Sequence, residues 1–183
     1  MRRELVIDLD GFVAECLTAR AEPQPALAVK EILERLVGEP ESVAAALHAQ
    51  PGVAVLHRSP DLTVLSVVIP AGLPQTLPHD HRMWAVVGIY QGHEDNQFFR
   101  RSETGLVESS GSSLGVSDTL AMGDDTIHAI RNPLERDALA AIHVYGGDLV
   151  GAHRSMWTRP NYDEQTYDDA KVLGSGGFRD ARS

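Results

Sequence analysis

Hydrophobic residues recur at three- and four-residue intervals through the first fifty residues of the chain. The pattern runs from Leu5 to Leu17 and again from Val29 to Leu36, and Gly38 supplies a stop signal after the second run. A third, shorter apolar pattern follows Pro40. Spacing of this kind is typical of amphipathic helices, so the sequence predicts three helices in residues 1–50.

From Gly52 onward the hydrophobic period changes to two, the period of a half-buried strand. Segments rich in valine and isoleucine run from Leu62 to Ile69, from Met83 to Tyr90 and from Ala138 to Tyr145. Turn signals such as Asn132-Pro133 separate them. Many short strands with turn signals between them are typical of a β-sandwich or a β-barrel.

These patterns predict one α+β domain that is mainly β. Helices would occupy residues 1–50, a β-barrel residues 51–160, and a polar, poorly ordered tail residues 163–183. A chain of 183 residues with 43% hydrophobic residues can bury a substantial core. We find no basic segment followed by an apolar one at the start and no uncharged stretch long enough to span a bilayer, so we expect a cytoplasmic protein without membrane association.

Charge and cysteine content narrow the partners and the chemistry. A formal net charge of −10 argues against nucleic acid as a partner, and a small molecule is the more natural ligand. The single cysteine, Cys16, lies on the apolar side of a predicted helix and cannot form an internal disulfide. We therefore expect a buried structural thiol. Monomer and homodimer both remain open.

The first candidate for chemistry is Pro78-His79-Asp80-His81. Two histidines at positions i and i+2 of a strand point their imidazoles to the same face, where they can share one ion. His128 follows the turn signal Gly123-Asp124-Asp125 and could bring a third imidazole from a later strand. Three histidines arranged in this way leave coordination positions open to other ligands.

Several motifs together resemble the thiol dioxygenases of the cupin superfamily, which comprise cysteine dioxygenase and the bacterial 3-mercaptopropionate dioxygenases. The similarity spans about residues 52–150, and the motifs occur in the family's order: His79-Asp80-His81, Trp84, Gly88, Gly92, Glu94, Asp125-x-x-His128, Asn132-Pro133 and His143-x-Tyr145-Gly146.

The resemblance implies a cupin fold, that is, a double-stranded β-helix or RmlC-like jelly-roll barrel, preceded by N-terminal helices. It also implies a mononuclear Fe(II) held by His79, His81 and His128, with a thiolate and O₂ at the open positions. Histidine ligands suit zinc, nickel, copper and iron alike, so iron rests on the resemblance, and zinc or nickel could occupy the isolated protein.

The same resemblance assigns His143 and Tyr145 to a catalytic relay near substrate and oxygen. The family's relay begins with a serine, where this chain has Ala141, so the relay is shortened to two residues. Val86 falls where some cysteine dioxygenases carry a crosslinked cysteine and where ordinary cupins carry a glutamate ligand. Valine there argues for three histidine ligands, and Glu94 is a weaker candidate for an extra one.

A small thiol acid needs a cation for its carboxylate, and a guanidinium supplies two parallel hydrogen bonds. Arg58 is the first candidate, because it precedes the Leu62 to Ile69 strand much as the family's carboxylate-binding arginine precedes the equivalent strand. Arg82 is second, since a regular strand would point it away from the ligands. Arg154 could reach the site from the closing strands, but no spacing argument supports it.

Three functions remain in competition. The first is a mononuclear non-heme iron dioxygenase that oxidises the sulfur of a small thiol, such as cysteine or 3-mercaptopropionate, to a sulfinate. The second is another metal-dependent cupin enzyme acting on a small acid. The third is a cupin that binds a metal or a metabolite without turnover, as a sensor would.

Overall fold

The computed structural model describes residues 7–103, 105–173 and 178–180 of the chain. The predicted helices are present as α1 (Leu9–Ala19), α2 (Pro25–Val37) and α3 (Pro40–Leu47). The Asp8 side chain accepts a hydrogen bond from the amide of Gly11 and so caps α1, while proline occupies the first position of α2 and α3. The predicted start of the first helix at Leu5 lies outside the described residues.

The strands and a short fourth helix follow in chain order. They are β1 (Gly52–Arg58), β2 (Thr63–Ile69), β3 (His79–Asp80), β4 (Ala85–Gln91), β5 (Glu94–Ser102), β6 (Gly105–Leu114), β7 (Thr119–Met122), β8 (Ile127–Arg131), β9 (Leu139–Tyr145), β10 (Ser155–Thr158), β11 (Asp163–Thr166), α4 (Asp169–Leu173) and β12 (Phe178–Asp180). The three strands predicted from alternating apolar residues correspond to β2, β4 and β9.

Within the described residues the strands form two six-stranded sheets. Their orders are β12-β1-β2-β9-β4-β7 and β11-β10-β3-β8-β5-β6. The central parts, β2-β9-β4-β7 and β3-β8-β5-β6, have the strand order of an eight-stranded jelly roll, in which successive strands cross from one sheet to the other, except for the hairpin of β5 and β6. The predicted cupin fold, a double-stranded β-helix preceded by N-terminal helices, is therefore confirmed.

The three N-terminal helices cover the outer face of the first sheet. Apolar side chains of α2, among them Val29, Leu33 and Val37, pack in one buried cluster with Val86 and Val144 of β4 and β9. A second cluster on the other face of the same sheet fills the space inside the barrel. Both faces of β4 and β9 are thus buried, which fits their nearly continuous apolar sequences.

The expectation of a poorly ordered tail is wrong for the described part of residues 163–183. Strand β11 pairs antiparallel with β10, and β12 pairs parallel with β1. Val172 of α4 is buried, and Leu173 and Phe178 pack against the cluster inside the barrel. A few apolar residues in a polar segment are enough to anchor it to the barrel. Among the helices of the described residues, none is long and apolar enough to cross a bilayer.

Candidate metal centre

Strand pairing brings three histidines together inside the barrel. His79 on β3 lies directly opposite His128 on β8 in the antiparallel register, and His81 follows immediately after β3. The ring centres of His81 and His79 are 4.9 Å from that of His128, and they are 5.3 Å from each other. All three side chains are buried. The two histidines of the His-x-His motif thus share one face, as predicted.

The facing nitrogens are close enough to bind one ion. One ligand atom from each of the three residues lies within 4.8 Å of the others, and Nε2 of His81 is 3.2 Å from Nε2 of His128. Two nitrogens that each lie about 2.1 Å from a common ion are roughly 3.0 to 3.4 Å apart at ordinary bond angles. The three histidines are therefore placed to hold a metal ion.

Hydrogen bonds on the far side of two imidazoles set their tautomers. Nδ1 of His79 lies 2.9 Å from the carbonyl oxygen of Leu77, and Nδ1 of His128 lies 2.8 Å from Oδ1 of Asn96. A carbonyl oxygen can only accept, so both Nδ1 atoms carry a proton and both Nε2 lone pairs face the centre. Nδ1 of His81 has no such partner among the described residues.

The electrostatic environment keeps these imidazoles neutral. Burial lowers the pKa of His79 to about 4, against a smaller opposing effect of the hydrogen bond to Leu77. Burial, followed by the neighbouring histidines, also lowers the pKa of His81 and that of His128 well below the ordinary value. Neutral imidazoles are the form that binds a metal.

His143 and Tyr145 lie beside the three histidines, as the sequence predicts. Both are buried on β9 and line the same cavity. Nδ1 of His143 is 3.0 Å from the Tyr145 hydroxyl, and the Tyr145 ring centre is 5.0 Å from that of His81. Burial raises the pKa of Tyr145, so it remains a phenol. The pair can therefore present a hydroxyl group at the centre.

Val86 and Glu94, which the sequence argument placed beside the metal ion, lie outside the cluster of ligand atoms in the structure. Val86 packs in the helix-side cluster, while its neighbours Ala85 and Val87 pack inside the barrel. Its side chain thus lies on the opposite face of the sheet from the histidines, and the argument about ligand number drawn from it is wrong. Glu94 is outside the group of clustered ligand atoms, although it is fully buried inside the barrel.

The two arginines predicted to bind a substrate carboxylate do not line the histidine cavity. Nε and Nη2 of Arg58 bind the carboxylate of Asp148 at 2.8 and 2.9 Å on the protein surface. Arg82 has a left-handed backbone (φ 59°), and its exposed guanidinium binds Asp80 at 2.7 Å. Both predictions are corrected, since each group already has a carboxylate partner outside the barrel.

Arg154 is the arginine that lines the cavity. It is 6% exposed, and its Nε has no hydrogen-bond partner among the described residues. Its guanidinium carbon lies 3.6 Å from the centre of the Tyr167 ring, which in turn is 5.8 Å from the ring centre of His79. A buried guanidinium with a free N–H is therefore held close to the three histidines.

The cavity in front of the histidines is small. Its volume is about 30 Å³, and Leu173 and Phe178 of the C-terminal segment form part of its lining. A space of this size holds about one or two water molecules. A ligand larger than that requires side chains of the lining to move.

Sequence reasoning missed Asn96 and Tyr167. Asn96 had a usable signal, because it is two residues after Glu94 on one strand and must share its face. Tyr167 had none, because it reaches the cavity only through the pairing of β11 with β10.

Comparisons with known proteins find only distant similarities. No family model matches the sequence. An RmlC-like cupin from Methanocaldococcus jannaschii is 14% identical with a TM-score of 0.44, covering 55% of this chain and 84% of its own. A protein with a double-stranded β-helix domain from Klebsiella pneumoniae is 14% identical with a TM-score of 0.46, covering 59% and 80%.

A third solved structure is that of the DMSP lyase DddQ from Ruegeria pomeroyi. It is 17% identical with a TM-score of 0.46, covering 76% of this chain and 74% of its own. Similarities at this level carry no information about substrate or reaction, which have to be inferred from the site.

Proposed function

We propose that this protein is a mononuclear non-heme iron dioxygenase that oxidises the sulfur of a small thiol acid to a sulfinate. The observation that carries the proposal is the set of three buried, neutral histidines whose ligand atoms converge with no carboxylate among them. A site of three neutral ligands keeps the full charge of a bound dication. It therefore favours an anionic ligand such as a thiolate.

When bound at His79, His81 and His128, Fe(II) would supply open coordination positions for thiolate and O₂ and the electrons that O₂ activation needs. The protein contributes orientation. Leu77 and Asn96 fix two of the imidazoles by their hydrogen bonds, and burial keeps bulk water away from the centre.

Arg154 takes the role that the sequence gave to Arg58. A guanidinium can hold a carboxylate by two parallel hydrogen bonds, and the Nε of Arg154 is free for one of them. The group is buried, and a buried cation without a full complement of partners gains most from an anionic ligand. The substrate proposed is therefore a thiol that also carries a carboxylate, such as 3-mercaptopropionate or cysteine.

Tyr145 and His143 are the proposed catalytic residues beside the substrate. The Tyr145 hydroxyl is hydrogen-bonded to Nδ1 of His143 at 3.0 Å and so has a fixed direction next to His81. It can hydrogen-bond to a ligand at the centre, and His143 is the group that holds the hydroxyl in place.

The proposal is tested by oxygen uptake. Protein loaded anaerobically with Fe(II) is mixed with 3-mercaptopropionate, cysteine, cysteamine or a thiol-free buffer, and sulfinate is identified by mass spectrometry. We expect uptake only with a thiol, and its loss in His128→Ala. His93→Ala, which removes an exposed histidine in a turn, is the matched control and should retain activity.

The competing functions give different results in the same assay. Another metal-dependent enzyme would bind the metal stoichiometrically through His128 and show no thiol-dependent uptake. A binding or sensor protein would show no uptake and would exchange iron for zinc or nickel without functional loss. Either result would contradict the dioxygenase while leaving the three-histidine centre intact.

A further inference from the structure

Glu94 is a fully buried acidic residue between the metal centre and the His143–Tyr145 pair. Its side chain is 0% exposed at the start of β5. Oε1 accepts a hydrogen bond of 2.8 Å from Nδ2 of Asn96, and Oε2 lies 3.7 Å from Nε2 of His143. It therefore connects a neighbour of a metal ligand with the proposed catalytic pair.

The hydrogen bonds on the Asn96 side have only one consistent direction. Nδ1 of His128 must donate to Oδ1 of Asn96 if Nε2 of that histidine is to face the centre. The amide nitrogen of Asn96 is then the atom that faces residue 94, and it donates. Whatever side chain stands at position 94 must present an oxygen to Asn96.

On the other side, two buried polar atoms have no partner except each other. Neither Oε2 of Glu94 nor Nε2 of His143 has a hydrogen-bond partner among the described residues. Leaving both unpaired would be costly in a buried site, and their separation of 3.7 Å is only slightly longer than a hydrogen bond. The carboxylate can only accept, so the proton of such a bond belongs to His143.

We propose that Glu94 is a positioning residue that holds His143 in the tautomer with the proton on Nε2. Nδ1 of His143 is then an acceptor, and the Tyr145 hydroxyl donates its proton to it. The Tyr145 oxygen consequently faces the cavity with its lone pairs and acts there as a hydrogen-bond acceptor. The catalytic meaning of this arrangement rests on the proposed function, whereas the tautomer itself does not.

The isosteric substitution Glu94→Gln makes a specific prediction. Because Asn96 donates, the amide oxygen of glutamine must face Asn96, and the amide NH₂ must face Nε2 of His143. Nε2 then becomes an acceptor, and the proton moves to Nδ1. His143 would donate to the Tyr145 oxygen, and the tyrosine proton would turn toward the cavity.

The tautomer can be read without any turnover. Protein with ¹⁵N-labelled histidine is loaded with diamagnetic Zn(II), and two-bond ¹H–¹⁵N correlations distinguish Nε2–H from Nδ1–H. The signals of His143 are assigned by their absence in His143→Gln. We expect Nε2–H in the wild type and Nδ1–H in Glu94→Gln. Glu108→Gln, the same substitution at an exposed site on β6, should leave the wild-type pattern.

A proton on Nδ1 of His143 in the wild type would overturn the inference, even if the variant fails to fold. This is also the state expected if Oε2 of Glu94 carried a proton, because it would then donate to Nε2 of His143. An unchanged tautomer in folded Glu94→Gln would overturn it as well.

The Fe(II)-loaded proteins supply a second readout. For Glu94→Gln we expect kcat to fall about ten- to a hundredfold, with KM changed less than about twofold, as for other groups that orient a functional residue. An unchanged kcat in an active enzyme would overturn the positioning role. Absence of thiol-dependent uptake in the wild type, together with the expected tautomers, would refute the proposed function and leave the role of Glu94 standing.

Discussion

The guanidinium of Arg154 stacks on the ring of Tyr167, with its central carbon 3.6 Å from the ring centre, inside the cavity that holds the three histidines. Arg154 follows β9 and precedes β10, whereas Tyr167 follows β11. The pairing of β11 with β10 therefore brings together a guanidinium and an aromatic ring from segments that are separate along the chain. This stack fixes the direction of a planar group that would otherwise have many rotamers.

The first prediction concerns Arg154 as the carboxylate partner. Arg154→Gln should raise KM for 3-mercaptopropionate about ten- to a hundredfold, because a charged hydrogen bond contributes about 1.5–3 kcal/mol. KM for cysteamine, which has no carboxylate, should change less than about twofold. Steady-state oxygen uptake measures both values.

Arg58→Gln is the matched control for this substitution. Arg58 binds Asp148 at the surface, so KM for both thiols should stay at the wild-type value. A higher KM for 3-mercaptopropionate in Arg58→Gln, with no effect in Arg154→Gln, would return the carboxylate to the residue chosen from sequence.

The second prediction concerns Asn96 as a support for the metal centre. Asn96→Ala removes the acceptor for Nδ1 of His128 and should weaken metal binding about ten- to a hundredfold. Competition with a chromophoric chelator measures the affinity for Zn(II). Gln97→Ala, at the next position of β5 with its side chain bonded to backbone carbonyls, should bind as the wild type does. Equal affinity of Asn96→Ala and wild type would contradict the role.

The third prediction concerns the contact between α2 and β4. A Cβ at Gly88 would lie 2.8 Å from Cγ of Leu33 and 3.0 Å from Cγ1 of Val37, which leaves no room for a methyl group. Gly88→Ala should lower the free energy of unfolding by about 1–3 kcal/mol through overpacking. Urea denaturation measures the loss. Gly123→Ala, where no atom lies within 4 Å of the added Cβ, should be close to neutral, and a similar loss in both variants would contradict the packing argument.

The fourth prediction concerns Cys16. The side chain is fully buried, and burial raises the pKa of its thiol from 9.0 to about 12. At pH 8 the native protein should therefore not react with the thiol reagent DTNB on a scale of minutes, while the denatured chain should release one equivalent.

The same pKa shift has a consequence for stability. The folded state binds this proton more tightly than the unfolded state, so the contribution of Cys16 is fully present below pH 9.0 and is lost as the pH rises toward 12. In the DTNB experiment, a reaction of the native protein within minutes at pH 8 would contradict the burial of the thiol.

Much of the fold follows from local patterns. The helical period of residues 9–47 and the alternation in β2, β4 and β9 depend only on neighbours in sequence, and these elements appear where the sequence predicts them. The three histidines were found for a similar reason. His79 and His81 are two residues apart, and His128 is the second residue of a strand that follows a clear turn signal.

The expectations that failed concern residues whose position depends on the direction of a side chain or on contacts with segments that are distant along the chain. Val86 appeared to be a position beside the metal, but the alternation of β4 turns it toward the helices. Arg58 had a suitable place in the sequence, but Asp148, far away along the chain, holds it at the surface. The tail appeared too polar to order, but Leu173 and Phe178 pack against the barrel.

The sequence alone thus determined the class of fold and the three histidines that are placed to hold a metal ion, because periodicity and motif spacing are properties of short segments. Only the tertiary structure decided which arginine enters the cavity, and it alone placed Glu94 between Asn96 and His143. Those contacts join strands that are distant along the chain, and their geometry depends on strand register and on the closure of two sheets. No local pattern of residues encodes either of these.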